Sequence, residues 1–160
     1  MKNLDDLFEQ QLKNLYSMEV QLEQALRELM EQACYGELLI ALDMLLGETK
    51  GDAQKLEDLC RTLETRLEGR ECKVMNTLIG EAAHLMGEAL GKHLRDTVLI
   101  AQLQLMVGYV GTGYATAVEW AKEIGQTDIA EKLQLTLANK YDMEERLYDL
   151  AEERRIGKDL

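Results

Sequence analysis

At 160 residues the chain is long enough for one domain with a properly buried core. It has no proline, abundant Leu, Glu, Ala, Lys, Met and Gln, and only 5% aromatic residues, which predicts an all-α fold and argues against a sheet. A net charge of −12 and a pI near 4.6 exclude the basic footprint that nucleic acid or an anionic membrane surface requires.

Lys2-Asn3-Leu4-Asp5-Asp6 leads directly into an amphipathic segment with no secretory pattern. No apolar run of about 18 residues stands out, so a cytoplasmic protein is expected. Apolar groups recur at helical spacing over residues 3–32, from Leu4, Leu7 and Phe8 through Leu12, Leu15, Met18, Leu22 and Leu26 to Leu29. A second helix is predicted over 37–68, with Leu38, Leu42, Leu45, Thr49, Asp52, Leu56, Leu59 and Leu63 on its seam and Gly69 as its stop. A shorter helix over 71–91 centres on Met75, Leu78, Ile79, Ala82, Leu85 and Met86 and closes near Gly91.

The fourth helix, 93–124, carries the stretch VGYVGTGYA at 107–115. A phosphate loop would follow a strand and open a helix. Here the stripe Ile100, Leu103, Val107, Val110, Tyr114, Ala117, Ala121, Ile124 continues through the glycines without a change of period, so the stretch reads as helix. Each interior glycine costs about 0.5–1 kcal/mol against alanine. Gly108, Gly111 and Ala115 share one flank and are expected to admit a closely packed helix, within the bundle or across a dimer. The fifth helix, 127–154, opens with Thr127 or Asp128 as cap and has Ile129, Leu133, Thr136, Lys140, Met143, Leu147 and Leu150 on its seam, with a frayed tail after Arg155. Four long helices and one short one predict a four-helix bundle with an inserted helix, a single domain over 1–160.

That periodicity exposes polar residues on apolar faces. Glu19 lies on the first stripe, Asp52 and its neighbour Glu48 on the second, and Lys140 on the fifth. A lone buried charge is costly and is normally paired, neutralised or given a metal. Bundle di-metal sites use inward carboxylates with Glu-x-x-His pairs. This chain has no Glu-x-x-His, and Val107 and Val110 fill the inner positions of the fourth helix. His84 and His93 are read as structural or surface residues, and Cys34, Cys60 and Cys72 as buried reduced thiols.

LYSMEVQLEQALRELMEQA, LLGETKGD, CKVMNTLIGEA, RDTVLIAQ with GYATA, and LTLANKYDMEERLYDLA, in this order and spacing, resemble the YciE/YciF family of bacterial ferritin-like proteins. The resemblance implies a ferritin-like bundle with an extra helix, usually dimeric and stress-associated, with a carboxylate-rich di-iron-type site. Glu19 and Glu48 match two family glutamates, and Asp52 stands where Gln is common. Leu45 replaces a usual His; Val107, Gly108 and Val110 replace the ligands of "EHYE"; Asn139 falls in a former run of glutamates, and Glu144 matches a later Asp.

The expectation is therefore a degenerate di-metal site with no catalytic residues and no cofactor, Lys140 replacing the cation among Glu19, Glu48 and Asp52. The implied role is structural or interactive, in a homodimer or with an unidentified protein partner. The alternative is a ferritin-like oxidoreductase or storage protein holding iron or manganese through Glu19, Glu48, Asp52 and Glu144. A third reading makes the glycine flank and the eight methionines a groove for a partner helix. Tyr109, Tyr114 and Trp120 are expected to pack the bundle rather than to carry redox chemistry.

Overall fold

Helix ends are set by local chemistry in the computed structural model, which describes residues 1–157, with side chains as far as Arg155. Helix α1 (Leu4–Met30) starts where the Asn3 side chain accepts a hydrogen bond from the Asp6 N–H at 2.9 Å, with Asp5 and Asp6 favourably placed in its first turn. Helix α2 (Gly36–Thr62) is shorter than its seam predicts. Glu64 takes φ 55°, and the Thr65 N–H donates to Cys60 O at 2.8 Å, closing the helix six residues before the expected end. A glutamate thus fills the left-handed slot that glycine usually holds. Gly69, with φ 97°, lies in the following turn.

Helix α3 (Lys73–Glu88) is capped by the Cys72 thiol, which accepts from the Met75 N–H. Helix α4 (Lys92–Glu123) closes through Gly125 at φ 81°, with the Gln126 N–H donating to Ala121 O at 2.8 Å. Helix α5 (Thr127–Gly157) begins at the residue expected to cap it and runs past residue 154. The frayed tail expected after Arg155 is helix through 157, and 158–160 lie outside the described residues.

The long helices form a ring in the order α1, α2, α5, α4. Cross-contacts give the directions. Gln11 on α1 donates to Gly113 O on α4, while Asp96 at the start of α4 meets Cys34 and Tyr35 after the end of α1, so α1 and α4 are antiparallel. Short turns make α1–α2 and α4–α5 antiparallel as well. Helices α2 and α4 are then parallel on the diagonal, and a chain joining them must travel back along the bundle. The segment containing α3 makes that return, packing on α4 and α1.

Every seam position expected on α5 from Ile129 to Leu150 is buried. The packing partner of the α4 glycine flank is α5 of the same chain: a Cβ on Gly111 would lie 2.9 Å from Glu144 Oε1 and 3.7 Å from Lys140 Cβ. Gly113 serves the other side, where a Cβ would lie 2.9 Å from Leu15 Cδ2 on α1. Contrary to the sequence expectation, α4 has an 18-residue window apolar enough to cross a membrane, but more than half of that window is buried by its neighbours in the bundle. Cys60 and Cys72 are buried free thiols, whereas Cys34 is exposed, because it sits in the α1–α2 turn rather than on a seam.

Candidate functional site

Four helices each send one polar side chain to the same place in the bundle interior. Lys140 Nζ on α5 lies 3.0 and 3.2 Å from the two oxygens of Glu19 on α1, and 3.0 Å from Asp52 Oδ2 on α2. The Tyr114 hydroxyl on α4 donates to Glu19 Oε2 at 3.2 Å. Glu19, Lys140, Tyr114 and Asp52 are 0%, 1%, 1% and 2% exposed, so water gives them almost nothing. The ammonium has three N–H donors and no acceptor, which suits a position between two carboxylates. Its approach to Asp52 is oblique, leaving Oδ2 ion-paired yet without a directed hydrogen bond. Asp52 Oδ1 faces outward, 3.7 Å from the exposed Lys55 ammonium.

One ammonium serves two carboxylates, and the surplus negative charge shows in the proton affinities. Burial pushes the Glu19 carboxyl up to about 7, against the pull of Lys140, and the Asp52 charge adds to the rise. Burial works against the Lys140 ammonium, but Glu19 and Asp52 outweigh it and hold its pKa above the ordinary lysine value. Burial and the Glu19 charge keep the Tyr114 phenol protonated far above its normal range. The arrangement is a charge clasp across the bundle that can take up one proton near neutrality.

Glu48 does not close the third side of this clasp. It is half-buried one turn earlier on α2, outside ion-pair range of Lys140, with Oε2 enclosed and lacking a hydrogen-bond partner. Burial raises its pKa, and Lys140 acts only from a distance. Glu144 lies instead in the notch left by Gly108 and Gly111, where burial raises its pKa. Leu45, Val107 and Val110 are buried hydrocarbon, Gly108 is half-buried, and Asn139 faces solvent. Among the described residues, no three His, Cys, Asp or Glu side chains converge as a metal ion would require. His84 is exposed and pairs with Glu88, while the His93 ring meets Arg154. Tyr109 is half-buried and accepts a weak hydrogen bond from the Cys72 thiol.

A second polar cluster, which the seam pattern does not predict, lies at the α1–α2 turn. Asp96 on α4, 2% exposed, accepts from the Cys34 N–H at 3.0 Å and the Tyr35 N–H at 2.7 Å. Arg154 on α5 lies 3.7 Å from it, donates to His93 O at 2.7 Å, and stacks over the Tyr35 ring. The signal was present: Asp96 is four residues before Ile100 and Arg154 four after Leu150, one step beyond each seam as read.

The chain matches the family described as "Domain of unknown function (DUF892)" over residues 3–158. It belongs to the DUF892 family. Protein YciF of Escherichia coli (strain K12) is 29% identical over 152 residues, covering 94% of this chain and 92% of that protein. The crystal structure of the E. coli stress protein YciF aligns with a TM-score of 0.91 and 28% identity, over 96% of this chain and 98% of that one. YcfI from Rhodopseudomonas palustris aligns at 0.89 and 28% identity, over 92% of this chain and 94% of that one. The YciE/YciF resemblance and the all-helical bundle are thereby established, and the family description names no reaction.

Proposed function

We propose that this DUF892 member is a non-catalytic structural or interaction protein of the stress response, in which an ion-pair clasp has replaced a ferritin-like di-metal centre. The observation that carries this reading is the Lys140 ammonium 3.0 Å from both Glu19 and Asp52, at the point between two carboxylates where a cation would bind. A metal ion there would face a like charge at close range. Hydrocarbon at Leu45, Val107 and Val110 supplies no donors, so these residues do not fit a di-metal group. The relative's name as a stress protein and YcfI's provisional description as a structural protein support the same role. Cytoplasmic residence and a homodimer belong to this reading. Leu105, Tyr141 and Tyr148 stand exposed on α4 and α5 as surface that a second copy would cover.

Elemental analysis of protein produced with iron, manganese and zinc present tests the proposal. Metal well below one equivalent per chain is expected. Stoichiometric metal that is lost on Glu48→Ala would instead support the oxidoreductase or storage reading. The unpartnered Oε2 of Glu48 is the observation favouring that alternative.

A further inference from the structure

Beside the clasp, a cavity of about 300 Å³ opens along the seam between α2 and α5. It has room for roughly ten water-sized groups, at the small end of ligand pockets. Leu56, Leu59 and Leu133 form its apolar walls, Asp52 and Tyr114 its floor, and Lys55, Asp58 and Lys132 belong to its lining. We propose that this cavity binds a small primary aliphatic amine as its ammonium ion, with the head on Asp52 and the alkyl chain along the three leucines.

Asp52 decides the ligand's chemistry. It is a carboxylate 2% exposed; the Lys140 ammonium holds its Oδ2 at 3.0 Å, whereas its Oδ1 has only a loose neighbour at 3.7 Å and is the oxygen left for a ligand. That neighbour is the Lys55 ammonium, whose side chain is 58% exposed, so an ammonium already approaches Asp52 from the solvent side. A ligand ammonium replaces a weak surface contact with a charge-assisted hydrogen bond in a drier setting. A hydrocarbon would desolvate Asp52 further without offering a donor. A carboxylate would either bring like charge to Asp52 or rest its head at Lys55 and Lys132 and press its tail onto the charged floor. The net charge of −12 also favours a cationic ligand during encounter.

The test is methyl NMR of the full chain titrated separately with n-hexylamine, n-hexanol and hexanoate at neutral pH. Hexylamine is expected to shift the Leu56, Leu59 and Leu133 methyls saturably at millimolar concentration, with hexanol at least about tenfold weaker, the worth of one lost charge-assisted contact. Asp52→Asn is expected to weaken hexylamine by about tenfold. Lys55→Met, a change at an exposed side chain, is expected to tighten it severalfold by removing the competing ammonium, and it keeps the test decisive if Asp52→Asn does not fold. Hexanol or hexanoate binding as tightly as hexylamine, no saturable shift at these methyls, or no tightening in Lys55→Met would overturn the assignment. None of these readouts depends on metal content, so this inference and the proposed function fail separately.

Discussion

Two buried acid–base clusters sit in this bundle, and the contrast between them separates a structural staple from a site with unfinished chemistry. At the α1–α2 turn, Asp96 is satisfied by two backbone N–H groups at 3.0 and 2.7 Å, which leaves Arg154 at 3.7 Å an accessory. The carboxylate does there what a capping side chain does, supplying acceptors to donors at the start of a helix. At mid-bundle, Glu19 and Asp52 receive no comparable backbone donors and depend on one buried ammonium and one phenol, with the exposed Lys55 ammonium a looser neighbour of Asp52 at 3.7 Å. Remove the cation from the first cluster and the acid keeps its partners. Remove it from the second and two carboxylates confront each other without water.

Substituting Lys140→Met tests that difference most severely. Leaving buried charge uncompensated is expected to cost about 3–5 kcal/mol in denaturant unfolding at neutral pH. The loss should shrink in acid, as the carboxylates take up protons. Replacing all three groups together (Glu19→Leu, Asp52→Leu, Lys140→Met) is expected to recover most of it, because the desolvation cost goes with the charges. If Lys140→Met unfolds like the parent protein, the clasp does not hold the bundle.

The pH dependence comes next in size. The Glu19 carboxyl rises from an ordinary 4.5 to about 7 in the folded chain. Between those values the folded state keeps a proton that the unfolded state has released. The group's contribution is therefore complete below about pH 4.5 and is lost as pH climbs through 7. Unfolding free energies from urea titrations should decline for the parent relative to Glu19→Gln by up to about 1.4 kcal/mol per pH unit across that window. An identical pH profile in the variant would show that Glu19 does not bind the proton.

At the other cluster, Asp96→Ala is expected to cost about 2 kcal/mol by orphaning two backbone donors, whereas Arg154→Met, which leaves Asp96 its Cys34 and Tyr35 N–H donors, should cost less, about 1 kcal/mol. Equal losses would erase the distinction between cap and clasp. Tyr114→Phe, which removes one donor from Glu19, is the mildest change, with a thermal-unfolding loss of about 1 kcal/mol expected.

Much of this is legible in the residue pattern. Seams at Leu12, Leu15, Met18 and at Ile129, Leu133, Thr136, Lys140 repeat with the helical period, and the same repeat places Glu19, Asp52 and Lys140 inside. Glu48 misled because it sits one residue off the seam of Leu45, Thr49 and Asp52, about 100° round the helix from Thr49, which leaves it half exposed at the bundle edge. The end of α2 misled for a different reason: Glu64 adopts a backbone conformation that its sequence does not advertise, and Gly69 advertises one used elsewhere. Cys34 was assigned by residue type to the core, yet a turn residue has no seam to join.

Helical periodicity depends only on residues three and four apart, so local pattern is enough to specify which faces are apolar, which charges lie on them, and that the chain is an all-α bundle. Which inward charges meet is a matter of how separate helices are rotated and staggered against each other. Tertiary structure alone could decide that Glu19, Asp52 and Lys140 share a point, that Glu144 fills the notch at Gly111, and that a cavity opens beside Asp52. Those outcomes hinge on shifts of a few ångströms between elements far apart in the chain, and no local repeat encodes them.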